Sequence, residues 1–346
     1  MSIRELSRRG ALGSLGAFFA GSAVGTEQRA DPSLPLRLPP REELVNSFEF
    51  EDVAKLKLPE SVYSAIAGSD RAAFDRMTFR PQRMTPTVDM DLSVGLFGEE
   101  HFTPILVGPV ADQKQYHADG ELATVRGASA ARAGTIISSR SSVSINQLAP
   151  LATTPLWYSV YVEEDALGDA QQAVAAGCQA VSITIGVSGD GARASAAPSP
   201  DWNVVDQVRQ GIDVPLLVKG VMTPADAEAS LDYGAAGIIV SNHGEVGSGP
   251  APIEMLPSIA DAVGGRVPVL IDGGFRRGSD ILKAMVLGAR GVLLARPVMW
   301  GLAAYGAEGV QSVIEMLQSA FARNMGSIGA PNLASLERGM VRIHSR

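Results

Sequence analysis

Eight short apolar runs, each followed by a polar or glycine turn and then by an amphipathic segment, constrain the fold of this chain most strongly. Continuous apolar runs of this length are typical of buried parallel strands. The segments between them show the 3.6-residue spacing of helices. The runs are Ile105–Val110, Thr135–Ser139, Trp157–Val162, Ala180–Ile185, Pro215–Lys219, Gly237–Ser241, Pro268–Asp272 and Gly291–Ala295. Eightfold strand–helix alternation predicts an α/β fold of the (β/α)8 TIM-barrel type.

The alternative fold is a doubly wound open sheet, but no G-x-G-x-x-G motif follows the first run. Predicted helices between the runs include Gly120–Ala133, Asp165–Ala176, Pro224–Tyr233, Ile253–Val263 and Ser279–Leu287. Pro224 and Asp226 suit a first helical turn, and Gly234 suits a helix end. Residues 45–80 are predicted to form a short helical segment before the barrel, so that residues 45–346 make one domain.

The first thirty residues have the layout of an export signal. Ser7-Arg8-Arg9 precedes a weakly apolar stretch, Ala11–Val24, that is rich in glycine and alanine. Adjacent arginines at this place are typical of twin-arginine signals, so we expect a signal peptide over residues 1–30 and a periplasmic protein. The alternative is an N-terminal extension of a cytoplasmic protein. Residues 31–44 are predicted to be a proline-rich linker.

Composition excludes several classes of function. The formal net charge is −8, with no basic block, which argues against nucleic-acid binding. One cysteine, Cys178, and four histidines argue against a metal centre, and none is predicted. No apolar run approaches the roughly 20 residues that a membrane-spanning helix needs.

The ends of the last two predicted strands indicate a phosphate site. In a TIM barrel the chemistry lies where strands end and the following loops begin. Gly273-Gly274 would expose backbone N–H groups at a helix start, and Arg276 and Arg296 can add charge-assisted hydrogen bonds. The alternative is that the glycines only turn the chain and that the arginines are solvated.

Two further strand ends carry candidates for chemistry. Lys219 emerges from the fifth strand among apolar residues, which suits an electron-rich ring atom of a cofactor; the alternative is a buried ion pair. His243 follows the sixth strand and should project at the same face. Because histidine titrates near neutrality, it can accept or return a proton. His243 is therefore the predicted catalytic base, against the alternative of a purely structural histidine.

Two long blocks, Val214–Gly244 and Val269–Ala303, contain the sequences SNHG and DGGFRRG. With these blocks the chain resembles the FMN-dependent α-hydroxy acid oxidases and dehydrogenases, a family that includes glycolate oxidase, lactate oxidase, flavocytochrome b2 and mandelate dehydrogenase. The similarity covers most of residues 45–340. The resemblance implies FMN as cofactor, oxidation of a small 2-hydroxy acid to the 2-oxo product, and a homo-oligomer. It leaves open whether oxygen or a redox partner accepts the electrons.

The resemblance also assigns residues to the site. His243 matches the catalytic base, Tyr161 a substrate-side tyrosine, and Arg193 an arginine near the substrate carboxylate. Lys219 matches the cation at the N1/O2 edge of the flavin. The implied cofactor-binding residues are Val110, Ala111, Ser138, Thr184, Lys219, Ser241, Asp272, Gly273, Gly274, Arg276, Ala295 and Arg296.

The departures from the family fall on substrate and catalytic positions. Where the family has an arginine that clamps the substrate carboxylate, this chain has Val246. Where the family has an aspartate that orients the base, this chain has Gly186. Ala65 replaces a substrate-side tyrosine of the family, and Ser159 replaces a glutamine that contacts the flavin. Two alternatives to hydroxy acid oxidation follow: an FMN-binding barrel that has lost this activity, and a non-redox FMN-dependent isomerase.

Overall fold

The computed structural model describes residues 38–68, 71–80, 90–162, 165–186, 200–245 and 249–344. Residues 40–346 form one compact unit, which contains the barrel. The predicted signal over residues 1–30, and the part of the predicted linker before residue 38, lie outside the described residues. Within the rest of that linker, Arg41–Glu43 forms a short 3-10 helix.

The described strands, in chain order, are β1 (Met77–Phe79), β2 (Val94–Leu96), β3 (Glu99–His101), β4 (Ile105–Val107), β5 (Gly134–Ser138), β6 (Leu156–Tyr161), β7 (Ala180–Thr184), β8 (Leu216–Val221), β9 (Gly237–Val240), β10 (Val269–Asp272), β11 (Gly291–Leu294) and β12 (Val341–Ile343). Strands β4 to β11 pair in parallel, and β11 pairs with β4 to close the barrel. The predicted TIM barrel is confirmed, with its eight strands where the eight apolar runs stand.

The described helices are α1 (Ser47–Lys57), α2 (Glu60–Ile66), α3 (Ala72–Asp75), α4 (Glu121–Ala130), α5 (Ile145–Leu148), α6 (Ala166–Ala175), α7 (Trp202–Gln210), α8 (Pro224–Asp232), α9 (Pro252–Val263), α10 (Gly278–Val286) and α11 (Arg296–Ser327). Further 3-10 turns are Gln113–Gln115, Ala149–Leu151, Leu333–Ser335 and Arg338–Met340. Helix α11 is interrupted at Tyr305 and Gly306, whose backbone angles are not helical. As predicted, Pro224 occupies the first turn of α8, and the Thr223 side chain caps it by accepting from Asp226 N.

Two details of the sequence prediction were wrong. The first barrel strand ends at Val107 rather than at Val110, since Pro109 has no N–H with which to continue a ladder. The segment before the barrel is only partly helical, because Met77–Phe79 forms strand β1 and pairs antiparallel with Val341–Ile343 near the end of the chain. A three-residue strand is too short to show a period, so its partner is invisible in the sequence.

The barrel interior is apolar at the amino ends of the strands and polar towards their carboxyl ends. Each barrel strand gives one residue to the buried cluster Leu106, Ile136, Trp157, Ala180, Leu217, Ile239, Leu270 and Leu293, which the β2–β3 hairpin covers with Val94 and Leu96. Side chains two residues further along face the same way, and these include Ser138, Ser159, Ser182, Lys219, Ser241 and Asp272. The hairpin therefore plugs the amino end, and the polar layer forms the floor of a site at the carboxyl end.

Candidate active site

A cavity of about 260 Å³ opens at the carboxyl ends of the barrel strands. The predicted site residues on its wall are Val110, Ala111, Tyr161, Thr184, Lys219, His243, Asp272, Gly273, Gly274, Arg276, Ala295 and Arg296. Ser138 and Ser241 are buried but are not part of the lining. Arg193 lies outside the described residues.

Lys219 lies on the cavity wall and is held by two partners. Its Nζ is 2.9 Å from Asp272 Oδ2 and donates a hydrogen bond of 2.8 Å to Ser241 Oγ. Lys219 and Ser241 are buried. A buried ion pair is costly to break, so these contacts fix the ammonium at one point of the wall. The ion pair that the sequence left as an alternative is present, and it coexists with a place on the cavity wall.

The turn after β10 brings bare backbone to the cavity. Gly273 and Gly274 have φ angles of +96° and +82°, a region that side chains disfavour. A Cβ at Gly273 would also come within 3.1 Å of Pro252. The turn leads into α10, and N–H groups before a helix favour an anion.

A buried arginine, Arg276, and a half-buried one, Arg296, stand next to this turn. Arg276 is 4% exposed, and its Nη1 and Nη2 donate to the carbonyls of Phe275 at 2.9 Å and Gly68 at 3.2 Å. Arg296 donates to Gly244 O at 2.6 Å. Burial lowers the pKa of Arg276 to about 9, and repulsion from Arg296 adds to this effect. Burial lowers the pKa of Arg296 as well. An anion bound between the two guanidinium groups would relieve this electrostatic cost.

A second ion pair, which sequence reasoning missed, braces the same turn. Arg71 makes a bidentate contact with Asp280, at 2.6 and 3.0 Å, and donates to Gly274 O at 3.3 Å. Asp280 is fully buried and accepts from the backbone N–H groups of Arg276 and Arg277. An aspartate three residues into a helix is a capping signal that the sequence shows. Its partner Arg71 stands 209 residues away and gives no local signal.

His243 is held in a conformation that few side chains adopt. Its φ is +58°, and its N–H donates to Ser241 Oγ at 3.2 Å. A Cβ built at Gly220 would lie 3.0 Å from both Cε1 and Nε2 of the ring, so the imidazole packs against bare backbone. Strained residues of this kind are retained where the surroundings hold them, often at functional sites. The ring of His243 lines the cavity.

Gly186 lies beside the same ring. A Cβ built there would be 3.7 Å from Nε2 of His243. This is the place that the family resemblance gives to an aspartate that orients the base. The geometry agrees with that assignment of position, and Gly186 leaves space where the aspartate would stand.

Tyr161 lies on the cavity wall with a cation on its ring. The Arg140 Cζ is 3.9 Å from the centroid of the Tyr161 ring. Ser138 Oγ accepts from Arg140 N at 3.2 Å, and Thr184 Oγ1 lies 3.3 Å from Ser159 Oγ. Arg140 was not among the predicted site residues, because its contact is with Tyr161 at the end of the next strand.

Other wall residues had no distinguishing signal in the sequence. Tyr116, Phe275 and Met299 line the cavity and are buried. Burial raises the pKa of the Tyr116 phenol, and the nearby Asp112 carboxylate raises it further. Apolar and aromatic residues in a strand–helix loop look alike whether they pack in a core or face a ligand.

No cluster of His, Cys, Asp or Glu that could hold a metal ion occurs in the described ranges. Within the same residues, no helix combines the length and apolar character needed to cross a bilayer.

Comparison with known proteins decides the family. A sequence model of FMN-dependent dehydrogenases matches residues 64–197 and 192–343. The chain belongs to the FMN-dependent dehydrogenase family. Glycolate oxidase 3 of Arabidopsis thaliana is 33% identical to this protein, and the alignment covers 87% of this chain and 96% of the relative. The human 2-hydroxyacid oxidase 1 is 31% identical, over 85% of this chain and 95% of the relative.

Solved structures of the family agree with this assignment. Mandelate oxidase bound to (S)-2-phenylpropionate superposes with a TM-score of 0.81 and 33% sequence identity, over 88% of this chain and 100% of that chain. Another mandelate oxidase structure contains an FMN adduct.

The residues of this family member fit FMN. Arg276 Nε and Asp272 Oδ1 are buried atoms without a hydrogen-bond partner in the described part of the chain. The glycine turn offers N–H groups beside the buried Arg276 and the half-buried Arg296, which suits a phosphate monoester. Lys219 offers a fixed ammonium for the electron-rich edge of the ring. FMN is thus the cofactor of this protein by family, and the cavity contains the groups that it requires.

Proposed function

We propose that this protein is an FMN-dependent oxidoreductase that oxidises a 2-hydroxy acid, or a related hydroxy compound, to the 2-oxo product. The observation that carries the proposal is one cavity with His243 on its wall and the Gly273–Arg276 turn at another part of it. The glycolate, 2-hydroxyacid and mandelate oxidases that the chain resembles support the same reaction class.

Different residues of the chain would bind the phosphate and the ring system of FMN. When bound, FMN supplies a two-electron acceptor. Gly273, Gly274, Arg276 and Arg296 would hold its phosphate, and Val110 and Ala111 would back its ring system, with Ala295 on the same cavity wall. Ser241 would act through its hydrogen bond to Lys219, and Ser138 from its buried position at the end of β5. Lys219 would stabilise negative charge at the ring of the bound cofactor, because it is a cation fixed in place by Asp272 and Ser241.

His243 moves the proton. The reaction takes two electrons and two protons from the C–OH group of the substrate, and a neutral imidazole can accept one of these protons. The strained backbone of His243 and its packing on Gly220 fix the ring before substrate arrives. Tyr161 and Thr184 line the cavity with it, and Arg193 is proposed to contact the carboxylate.

Export and assembly complete the proposal. The twin-arginine layout around Arg8 and Arg9 supports export to the periplasm, as one domain after residues 1–30 are removed. Replacing both arginines with lysine would then leave the precursor in the cytoplasm, and unchanged localisation would contradict export by this route. We also propose a homo-oligomer, which light scattering of the holoenzyme checks by its mass.

Anaerobic mixing with lactate, glycolate, mandelate and longer 2-hydroxy acids tests the reaction. Bleaching of the flavin absorbance by at least one of them is expected. Absence of bleaching with every acid, in protein that retains FMN, would contradict the proposal. Admitting oxygen afterwards identifies the acceptor, because rapid return of the colour marks an oxidase and slow return a dehydrogenase with another acceptor.

A further inference from the structure

We propose that Gln113 is a positioning residue for the flavin, because its side chain holds the loop that carries Val110 and Ala111 on the cavity wall. The inference rests on the part of the proposed function that concerns FMN, and on no particular substrate. Neither the family match nor the sequence resemblance assigns Gln113 to the site.

The loop after β4 runs along the cavity between two backbone anchors. Gly108 N donates to the last carbonyl of β11 at 2.8 Å, and Asp112 N donates to a carbonyl of the loop after β5 at 3.0 Å. Pro109, Val110 and Ala111 lie between these anchors and line the cavity. Asp112 has a φ of +45°, a conformation that persists where surrounding contacts hold it. The position of this wall segment therefore depends on contacts from outside its own backbone.

The side chain of Gln113 holds this wall segment at its middle. Its Nε2 donates to Val110 O at 3.2 Å, and its Oε1 accepts from Thr124 Oγ1 at 2.6 Å. Thr124 lies on α4, and both it and Gln113 are buried. Since the threonine hydroxyl donates to the amide oxygen, the amide nitrogen is turned towards Val110. The amide group thus links the cavity wall to a helix packed around the barrel.

Glu121, the first residue of α4, holds the backbone of Gln113. Its Oε1 accepts from the N–H groups of Gln113 and Ser142, each at 3.0 Å, and its Oε2 accepts from Ser142 Oγ. Glu121 is fully buried, and the first turn of a helix favours a negative charge. A buried carboxylate without such donors would be costly. The loops after β4 and β5 are therefore both fastened to the start of α4.

The wall segment and the phosphate turn belong to different strands of the barrel. The glycine turn follows β10, Val110 follows β4, and β11 lies between these two strands. A wall that is fixed in advance binds a ligand more tightly than one that must become ordered on binding. Loss of the Gln113 amide should therefore weaken binding of the flavin ring system and leave the phosphate contacts in place.

The test compares two buried glutamines. Gln318 on α11 is 7% exposed, and its Nε2 donates to Ala131 O at 3.0 Å and to Thr103 Oγ1 at 3.3 Å. It does not belong to the cavity lining. Gln113→Met and Gln318→Met therefore remove comparable buried hydrogen bonds, and we expect similar losses of thermal stability in the two FMN-free proteins.

Flavin affinity is measured with two probes. The full-length holoenzymes are diluted, and the Kd for FMN is read from the return of flavin fluorescence on release. Riboflavin, which has the ring system and lacks the phosphate, is titrated into the FMN-free proteins.

Gln113→Met is expected to raise the Kd for FMN about 5- to 30-fold and the Kd for riboflavin by the same factor. Gln318→Met should change neither. An unchanged Kd for FMN in Gln113→Met, an equal rise in Gln318→Met, or a rise for FMN without one for riboflavin would overturn the proposal.

Thr124→Val is a second and milder variant, which keeps the shape of the side chain and removes the donor to Gln113 Oε1. It should raise both Kd values about 2- to 5-fold, and an unchanged Kd would contradict the proposal. The double variant should bind flavin as Gln113→Met does, because Thr124 acts through Gln113, and losses that multiply would contradict this. Affinity is measured without substrate. The proposal can therefore fail while 2-hydroxy acids still bleach the flavin, and it can hold when none of them does.

Discussion

The imidazole of His243 packs against the backbone of Gly220, at the point where the pairing of β8 with β9 shifts its register. The shift lies between Lys219 and Val221, and Gly220 has a φ of +108°. A β-bulge of this kind re-aims neighbouring side chains. One irregular residue thus places Lys219 on the wall and leaves room for the ring of His243.

Gly220→Ala should therefore damage both the fold and the reaction. The new methyl group would meet the Ile185 carbonyl and the ring of His243, and alanine disfavours a positive φ. We expect a loss of about 1–3 kcal/mol in the free energy of unfolding, measured by urea titration, and slower flavin reduction by substrate. Gly95→Ala is the control, since a Cβ there meets nothing within 4 Å. Equal stability of the two variants would contradict this account of Gly220.

The Lys219–Asp272 pair predicts a non-additive pair of substitutions. Lys219→Met leaves a largely buried carboxylate without its counter-charge, which should cost about 3–5 kcal/mol of unfolding free energy. Adding Asp272→Asn removes that charge, so the double variant should be more stable than the sum of the two single losses predicts. Urea unfolding of the four FMN-free proteins measures the coupling, since differences in FMN affinity then do not enter. Strict additivity would show that the two side chains do not interact.

Arg276→Gln should separate cofactor affinity from the stability of the FMN-free protein. Burial of this cation beside Arg296 is unfavourable without an anion, so neutralising it should change the FMN-free Tm little. The Kd for FMN should rise about 10- to 100-fold, and the rise in Tm on adding FMN should shrink accordingly. Arg276→Lys keeps the charge and should lose less. Tight FMN binding by Arg276→Gln would place the phosphate elsewhere.

Because of His101, we expect the free energy of unfolding to decrease at acidic pH. It is buried in the plug at the amino end of the barrel, and both ring nitrogens are without a hydrogen-bond partner among the described residues. Burial lowers its pKa, whereas an unfolded histidine titrates near pH 6.5. The folded protein therefore binds fewer protons, and its stability is retained above about pH 6.5 and falls as the pH drops below it, by at most about 1.4 kcal/mol per pH unit.

His101→Phe should flatten this dependence, and unfolding titrations between about pH 4.5 and pH 7 measure the slope. The exposed His344 provides the control, since His344→Phe should leave the slope as in the wild type. A slope that His101→Phe does not change would assign the acid sensitivity to other groups.

The sequence predicted the barrel because its strands are long enough to show their character and recur at even spacing. It did not predict the β2–β3 plug or the pairing of β1 with β12, since three-residue strands show no period. The strand ends predicted Lys219, His243 and Arg276, because barrel topology alone places such residues at one face.

Contacts between distant or neighbouring loops could not be predicted in this way. The bidentate pair of Arg71 with Asp280 spans 209 residues. The stack of Arg140 on Tyr161 depends on two side chains from adjacent strands turning towards each other. No local pattern of residues encodes either contact, so they appear only with the folded backbone.

The most direct test of the central claim follows the α-hydrogen in a single turnover. Mandelate with hydrogen or deuterium on the α-carbon, or whichever acid bleaches the flavin fastest, is mixed anaerobically with the holoenzyme and with His243→Asn. Asparagine tolerates the positive φ at this position, so the variant should fold and retain FMN. We predict flavin reduction by the wild type that is slower with the deuterated acid, and a loss of rate of at least about 100-fold in His243→Asn. Reduction of the His243→Asn flavin at the wild-type rate, with FMN bound in both proteins, would contradict the assignment of His243 as the base.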